Sequence, residues 1–274
     1  MGDASFDAFY FTHGCGAPYR RDAHWTRFFG GIADHLVSSI QPRRVLDAGC
    51  ALGLLVEALR DRGVDAEGID LSSYAIANVY APIKPFCRHG SIADEFTGRY
   101  DLIVSIEVVE HMPARDGEAA IANFCRHTDD VLFSSSPFDH RETSHVNVQP
   151  VEYWAELFAR HGFYRDVDYD ASFVTAWAVR FRRRSEPLAR IVRDYERRCW
   201  ALDYERNEMR AGAAQLERQL ADAMARAAGT DERWQRLDAE LAQARATIEM
   251  MEGSLFWRIR RVWVAINRLF GRSR

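Results

Sequence analysis

Two glutamates and a histidine lie at the end of a strongly apolar segment. The run YDLIVSI continues into EVVEHM, so Glu107, Glu110 and His111 are spaced i, i+3 and i+4. If a helical turn begins there, Glu107 faces the other two side chains across one turn. Two carboxylates and an imidazole form half of the shell of a hard or borderline divalent ion. His145, which follows the next strand-like run, would complete such a metal site.

Short apolar runs alternate with helix-like segments between Val45 and about Arg184. The runs typical of strands are RVLDAG, DAEGIDL, FCRHGS, YDLIVSI, DVLFSSS, YRDVDY and TAWAVRFRR. The predicted helices are HWTRFFGGIADHLVSSI, LLVEALRDRG, IANVYAPI, GEAAIANFCRHT and PVEYWAELFARHGF. This alternation predicts an α/β fold with a doubly wound, mostly parallel, seven-stranded Rossmann-like sheet that ends in a hairpin. Because ligands bind beyond the carboxyl ends of such strands, EVVEH lies where a site is expected.

A second motif, VLDAGCALG, follows the first predicted strand. Gly49 and Gly53 permit a tight turn into a helix, which lets backbone N–H groups approach a ligand closely. A dinucleotide fold has its glycines directly after the strand, whereas Asp47 precedes them here and Ala51 interrupts them. An acid at this place repels a phosphate and suits a ligand that carries an amino group. Asp70 ends the next strand, where a carboxylate can accept hydrogen bonds from both ribose hydroxyls.

In combination these motifs resemble the class I S-adenosylmethionine-dependent methyltransferases. The likeness covers roughly Tyr10 to Arg184 and rests on VLDAGCALG, GIDLS, GSIAD, SIEVVEH and HVNVQPVEYWAELFARHGF, in the order that the family has them. It implies S-adenosylmethionine as the cofactor. Two positions depart from the family's pattern, because Ala51 replaces its usual middle glycine and Ser91 stands where an aspartate is more common.

The resemblance also implies which residues bind the cofactor. The glycine loop would surround the methionine part, Asp70 would bind the ribose, and Leu71 would lie against the adenine. Tyr19, in the segment THGCGAPYRR before the first predicted helix, would either close over the cofactor's carboxylate or lie in a surface loop. The full set implied is Asp47, Gly49, Cys50, Ala51, Gly53, Asp70, Leu71, Ser91, Ile92, Ile106 and Tyr19.

The same resemblance extends to the EVVEH segment. Small-RNA 3′-terminal 2′-O-methyltransferases and ubiquinone-pathway O-methyltransferases carry a similar E-x-x-E-H with a later histidine and use it for a divalent metal. The likeness therefore implies Mg²⁺ or Zn²⁺ on Glu107, Glu110, His111 and His145, where it would lower the pKa of the acceptor hydroxyl. The alternative is metal-free catalysis, with His111 or His145 as general base and Glu107 against the cofactor.

A heptad pattern occupies the C-terminal third of the chain. From Leu188 to Leu255 the seam positions follow an unbroken spacing of four and three residues, although Arg206 and Thr230 on that seam are polar. This pattern predicts a coiled coil that self-associates. A fold-back into two helices near AGTD and a single helix packed along its own domain are the alternatives.

The last residues predict a helix of a different character. GSLFWRIRRVWVAINRLFGRSR combines an apolar stripe, flanking tryptophans and arginines on the other side, which suits either the surface of an anionic membrane or a partner protein. The predicted organisation is therefore a methyltransferase domain at 1–185, a coiled coil at 186–253 and a basic amphipathic helix at 254–274.

Composition narrows the functional class. The 36 basic and 40 acidic residues give a net charge of −4, with six arginines and no acid in the last segment, so the remainder is acidic and no nucleic-acid partner is expected. Five scattered cysteines without a C-x-x-C pair favour a reducing compartment. With no signal-peptide pattern, the expected location is the cytoplasm, with peripheral contact to the inner membrane through the last helix.

The expected function is that of a methyltransferase (EC 2.1.1.-). The combination of domain, coiled coil and basic tail resembles bacterial methyltransferases associated with cell-surface polysaccharide assembly, which implies O-methylation of a sugar hydroxyl in a glycan or its precursor. One alternative is a small-molecule O-methyltransferase acting on a quinone or phenol. Others are an RNA-terminus methyltransferase, which the acidic body disfavours, and a coiled-coil scaffold whose domain binds the cofactor without turnover.

Overall fold

The computed structural model describes residues 3–15 and 17–253, and the strands in this part of the chain form one sheet. The strands are β1 (Arg44–Ala48), β2 (Asp65–Asp70), β3 (Cys87–His89), β4 (Leu102–Ile106), β5 (Asp130–Ser134), β6 (Phe163–Arg165) and β7 (Val179–Arg183). Their order is β3-β2-β1-β4-β5-β7-β6. The first five pair in parallel, and β7 is antiparallel to both of its neighbours. The predicted seven-stranded Rossmann-like sheet is therefore confirmed.

The helices agree with the sequence pattern except at two places, since α1 was not predicted and one predicted helix is too long. They are α1 (Ala8–His13), α2 (Ala23–Ser39), α3 (Leu54–Arg60), α4 (Ser73–Ala77), α5 (Ala114–His127), α6 (Val151–Arg160) and α7 (Leu188–Gly253). The helix predicted over IANVYAPI was wrong, since α4 ends at Ala77. Pro82 disfavours helical backbone at the residue before it, and Asn78 bonds back to Tyr74 through its side chain.

Both faces of the sheet are covered because the strand side chains alternate. In β4, Leu102 and Val104 belong to the core beneath α2 and α3, whereas Ile103 belongs to the core beneath α5 and α6. Helices α2, α3, α5 and α6 each turn one apolar stripe toward their side of the sheet. The parallel strands are thus buried on both faces, and their carboxyl ends remain as the place where polar groups can gather.

The chain divides into two compact units, Met1–Cys199 and Trp200–Arg274. Helix α7 is 66 residues long, so it extends about 100 Å at ~1.5 Å per residue. It continues through Gly229 without a break, so the predicted alternative of a fold-back near AGTD was wrong. Within the described residues, no helix has the length and apolar character that crossing a bilayer requires. The basic amphipathic helix predicted at 254–274 lies outside the described residues.

A substitution at Phe158 tests the packing of the core beneath α5 and α6. Its side chain is fully buried and its ring stacks on Phe181, with ring centroids 4.1 Å apart. Phe158→Ala is expected to lower the free energy of unfolding by ~3–5 kcal/mol because it removes a packed ring and leaves a cavity. Urea denaturation measures this loss. Phe138→Ala, at a ring that is 77% exposed, is the matched control, and an equal loss in both variants would contradict the assignment.

Candidate active site

One cavity of 590 Å³ contains most of the residues that the sequence singled out. It opens where β1, β2 and β4 end. From the predicted cofactor set, the cavity is lined by Tyr19, Asp47, Gly49, Cys50, Ala51, Asp70, Leu71, Ser91, Ile92 and Ile106. From the predicted catalytic set, it is lined by Glu107, His111 and His145. The two sets of residues therefore share a single binding space.

The loop between β1 and α3 closes over the end of β2. The N–H groups of Gly49 and Cys50 both donate to the carbonyl of Ile69, at 2.8 and 3.1 Å. Gly49 has φ +97°, and a Cβ there would overlap the side chain of Val108, so only glycine fits. Gly53 lies outside the cavity lining, where its φ of +71° begins α3.

Ala51 is the residue at which this loop departs from the family's pattern. Its φ of +45° lies in the left-handed region, where glycine is preferred and other residues are strained. Its N–H donates to the Asp70 carboxylate at 2.7 Å, which fixes this conformation. A second donor to Asp70 is the N–H of Ser72, at 2.8 Å.

Two carboxylates, the buried Asp47 and the half-buried Asp70, give this part of the cavity its electrostatic character. Burial, and secondarily the charge of Asp70, raise the pKa of Asp47 to about 8. Burial also raises the pKa of Asp70, against the opposing effect of its two N–H donors. Each carboxylate costs free energy while it is ionised and unpaired. The pair therefore favours a ligand that brings positive charge.

Glu107 does not take the position predicted for it. Its φ of +53° removes it from the short helical turn Val109–His111 that follows. Its carboxylate instead accepts a hydrogen bond from the Trp177 indole at 2.9 Å. The expectation that Glu107 shares one turn with Glu110 and His111 was wrong, because Glu107 follows β4 in a left-handed conformation and the turn begins only at Val109. Glu107 remains in the cavity wall, outside the cluster of possible metal ligands.

Glu110 is fully buried, and its two carboxylate oxygens differ in their hydrogen bonding. One carboxylate oxygen accepts the Ser136 N–H at 3.1 Å, whereas the other has no hydrogen-bond partner among the described residues. Burial, and secondarily Glu107, raise the pKa of Glu110 to about 8. The Glu110 carbonyl accepts the N–H groups of Val146 and Asn147, both at 2.9 Å. This attachment holds the loop that carries His145 against the turn.

Hydrogen bonds assign the same tautomer to both histidines. Nδ1–H of His145 donates to the Asp139 carbonyl at 2.8 Å. Nδ1–H of His111 donates at 2.9 Å to the Ser144 hydroxyl, which itself donates to Glu142 at 3.0 Å. In each ring, Nε2 is therefore the nitrogen that remains to bind an ion. Burial, and secondarily His145, lower the pKa of His111 to about 4, so this ring is neutral at pH 7.

The cluster that remains has the composition of a metal site. One ligand atom each from Glu110, His111 and His145 lies within 4.8 Å of the others. Imidazoles that bind metals commonly donate their other ring N–H to an oxygen, as both rings do here. The unpaired oxygen of Glu110 would be the third ligand of such an ion. The donor set therefore fits a divalent cation.

An aromatic segment before α2 completes the cavity, and the sequence analysis missed it. Phe6, Tyr10 and Phe11 line the cavity, and the Tyr10 hydroxyl lies 3.4 Å from Nε2 of His111. The hydroxyl of Ser72 donates to the carbonyl of Phe6 at 2.6 Å, which anchors the segment beside β2. The run FDAFYF is the signal in the sequence, since rings this dense need an apolar contact.

Comparison with known families identifies the class of protein. A sequence model of a family described as a methyltransferase domain matches residues 23–168, more than half of the chain. The chain therefore belongs to this family, and its enzyme class is methyltransferase, as the motifs predicted.

Among curated proteins, the chain is similar to ubiquinone biosynthesis O-methyltransferases. It is 40% identical over 86 residues to that of Bordetella avium (strain 197N), a match that covers 28% of this chain and 36% of the relative. It is 32% identical over 102 residues to that of Aromatoleum aromaticum (strain DSM 19018 / LMG 30748 / EbN1), covering 34% and 44%. The chain thus spans less than half the length of these relatives.

Solved structures of similar chains include two methyltransferases. One is the magnesium protoporphyrin IX methyltransferase of Synechocystis PCC 6803 with bound S-adenosylhomocysteine, at 17% identity and a TM-score of 0.48, covering 58% of this chain and 83% of that one. The other is a TehB-like S-adenosylmethionine-dependent methyltransferase of Corynebacterium glutamicum ATCC 13032 Kitasato, at 24% identity and a TM-score of 0.44, covering 56% and 88%.

Asp47→Asn is expected to change how stability depends on pH. With a folded pKa of about 8 and an unfolded pKa near 4, the folded protein binds more protons, so stability falls as pH rises between these values. The variant lacks this slope. Relative to the native protein, it gains a few kcal/mol between about pH 5 and pH 8, because one pKa unit corresponds to ~1.4 kcal/mol.

Denaturation of the ligand-free protein across this pH range measures the difference. Asp94→Asn, at an exposed aspartate, is the control and should keep the native slope. If the Asp47 variant also keeps that slope, the carboxylate is not strained by burial.

Proposed function

We propose that the cavity binds S-adenosylmethionine and that the enzyme methylates a hydroxyl that has a second hydroxyl beside it. The observation that carries this proposal is that Asp47 and Asp70 line the same cavity as His111 and His145, two members of the Glu110, His111 and His145 cluster. S-adenosylmethionine supplies an electrophilic methyl group, so the protein has to align an acceptor oxygen and accept its proton.

The part of the cavity that is lined by Asp47 and Asp70 suits this cofactor in three ways. The carboxylates of Asp47 and Asp70 favour the positive charge of a sulfonium and an amino group. Gly49 keeps side-chain atoms away from the loop, so that a ligand can approach the backbone. Asp70 lines the cavity at the end of β2, where its carboxylate can accept hydrogen bonds from vicinal ribose hydroxyls.

The part of the cavity that is lined by His111 and His145 suits deprotonation of the acceptor hydroxyl. Glu110, His111 and His145 would hold a divalent cation, and a cation there would bind neighbouring hydroxyl oxygens and lower the pKa of the one that is methylated. Two imidazoles and one carboxylate suit Zn²⁺ or a similar borderline ion, as well as Mg²⁺ with fewer protein ligands. In a metal-free reaction, Nε2 of His145 would be the general base.

A sugar is the acceptor class that the cavity favours. Asp116, Asp139 and Glu142 line the same cavity as the two histidines, and carboxylates accept hydrogen bonds from hydroxyl groups. Phe6 and Tyr10 offer ring surfaces against which an acceptor ring can pack. These contacts support a polyhydroxylated acceptor such as a sugar unit of a cell-surface glycan or its precursor.

A phenolic acceptor is the second candidate. It is favoured by the likeness to relatives named ubiquinone biosynthesis O-methyltransferases and by the aromatic lining, which includes Phe11, Trp25, Phe28 and Phe29. A catechol offers the same pair of adjacent hydroxyls as a sugar diol.

Release of S-adenosylhomocysteine from the full chain distinguishes the two acceptors. Nucleotide-activated sugars and simple glycosides with vicinal hydroxyls are compared with catechols, each beside an analogue that has one of the two hydroxyls removed. The proposal expects turnover with a sugar diol and a loss of at least about tenfold without the neighbouring hydroxyl. Turnover with catechols alone would support the phenolic candidate. Equal turnover with single hydroxyls would contradict the requirement for a neighbouring hydroxyl.

His145→Ala is expected to weaken divalent-metal binding by about 100-fold or more, since it removes one of three protein ligands. Calorimetry of the chelator-stripped full chain with Zn²⁺ and with Mg²⁺, in the presence of S-adenosylhomocysteine, measures the affinity. The control is His140→Ala, at an exposed histidine in the same loop, which should bind the ion like the native protein. Unchanged affinity in the His145 variant would contradict the metal site.

A further inference from the structure

Helix α7 carries a long apolar seam that the described chain leaves exposed. From Cys199 onward, the first heptad positions are Cys199, Arg206, Ala213, Leu220, Ala227, Trp234, Leu241 and Ile248, and the fourth positions are Leu202, Met209, Leu216, Ala223, Thr230, Leu237, Ala244 and Met251. We call these two sets the seam. Leu216 is 67% exposed and Leu220 is 60% exposed. A helix of this length is not stabilised by water on its apolar face, so the seam needs a covering partner.

The charges that flank the seam indicate what covers it. In a parallel coiled coil aligned without offset, each seventh heptad position faces the fifth position, five residues later, on the other helix. If the other helix is a second copy of α7, all the charged pairs are opposite in sign. These pairs are Arg198 with Asp203, Glu205 with Arg210, Arg226 with Asp231, Arg233 with Asp238, and Glu240 with Arg245.

A shift of one heptad reverses most of these pairings. On one side of the shifted dimer, the like-charged pairs would be Arg198 with Arg210, Glu205 with Glu217, Arg233 with Arg245, and Glu240 with Glu252. Only Arg226 with Asp238 would stay opposite in sign. Like charges across a coiled coil exclude a register, so the pattern selects the unshifted one.

Arg206 favours two helices over three. It is the one charged residue among the seam positions, and its guanidinium pairs with Asp203 of its own helix at 2.9 Å. At the edge of a two-stranded seam, a long side chain can keep its charge in water. In a three-stranded core, three guanidinium groups would be buried together at a large desolvation cost.

We propose that α7 binds α7 of a second copy of this chain as a parallel, unshifted, two-stranded coiled coil from Cys199 to Met251. The inference does not depend on the proposed function. It makes the enzyme a dimer whose two chains run in the same direction from the ends of their methyltransferase domains.

Cys199 reports directly on this arrangement. It is an exposed free thiol at a first heptad position, where it would face Cys199 of the second copy. A Cu(II)–phenanthroline oxidant takes two electrons from the two thiols, which lose their protons and form one disulfide. The native full chain should give a cross-linked dimer on a non-reducing gel, Cys199→Ser should abolish it, and Cys15→Ser should leave it unchanged.

The mass in solution is measured on the same samples by light scattering. A dimer that does not cross-link through Cys199 would overturn the parallel, unshifted arrangement. A monomer at micromolar concentration, or a trimer, would overturn the proposal altogether.

Charge exchange tests the register independently. One variant carries Arg226→Asp with Arg233→Asp, and the other carries Asp231→Arg with Asp238→Arg. Each alone places like charges across the seam and should self-associate roughly tenfold or more weakly than the native chain. Mixed together, the two variants should form a heterodimer of native affinity, because every pair is again opposite in sign. Native-like self-association of either variant, or no recovery on mixing, would contradict the proposed pairing.

Discussion

The candidate active site depends on the parallel pairing of β1 with β2 and with β4. In this pairing, Asp47 lies beside Gly68 of one neighbour and Val104 of the other. All three strands therefore end at one edge of the sheet, and each delivers a polar group there. A slip of one residue would exchange the faces of a strand and place its core residues on the wrong side. The packing of both cores thus fixes the positions of Asp47, Asp70 and Glu107, although none of these carboxylates contributes to the apolar core.

Carboxylates that lower the stability of the folded protein gather at the same edge of the sheet. Asp47 and Glu110 are buried, Asp70 is half-buried, and all three have raised pKa values. In the proposed function, each lies where a ligand brings positive charge, from the sulfonium and amino group at one end and from a cation at the other. Ligands that bind only the folded state stabilise it in proportion to their affinity and concentration. The unpaired oxygen of Glu110 and the left-handed Glu107 are places where local stability is lost for the site.

The sequence predicted what depends on local pattern and missed what depends on distant contacts. The strands, the glycine loop and the carboxylates at strand ends follow from short motifs. Most of the candidate site residues in these motifs line one cavity. The position of Glu107 depends on the Trp177 indole, which comes from a loop 70 residues further along the chain. Phe6 and Tyr10 reach the cavity because Ser72 anchors the segment, a contact between residues far apart in sequence. The helix predicted over IANVYAPI ends at Ala77, because an apolar pattern takes no account of Pro82, which disfavours helical backbone before it.

A crystal structure of the full chain with S-adenosylhomocysteine and Mn²⁺, recorded at the manganese absorption edge, tests the central claim most directly. The claim is that one cavity holds the methyl donor beside a metal-binding cluster. It predicts the ribose of S-adenosylhomocysteine on the Asp70 carboxylate and an anomalous peak among Glu110, His111 and His145. Nucleoside density elsewhere in the chain, or a manganese peak away from these three side chains with this cluster empty, would contradict it.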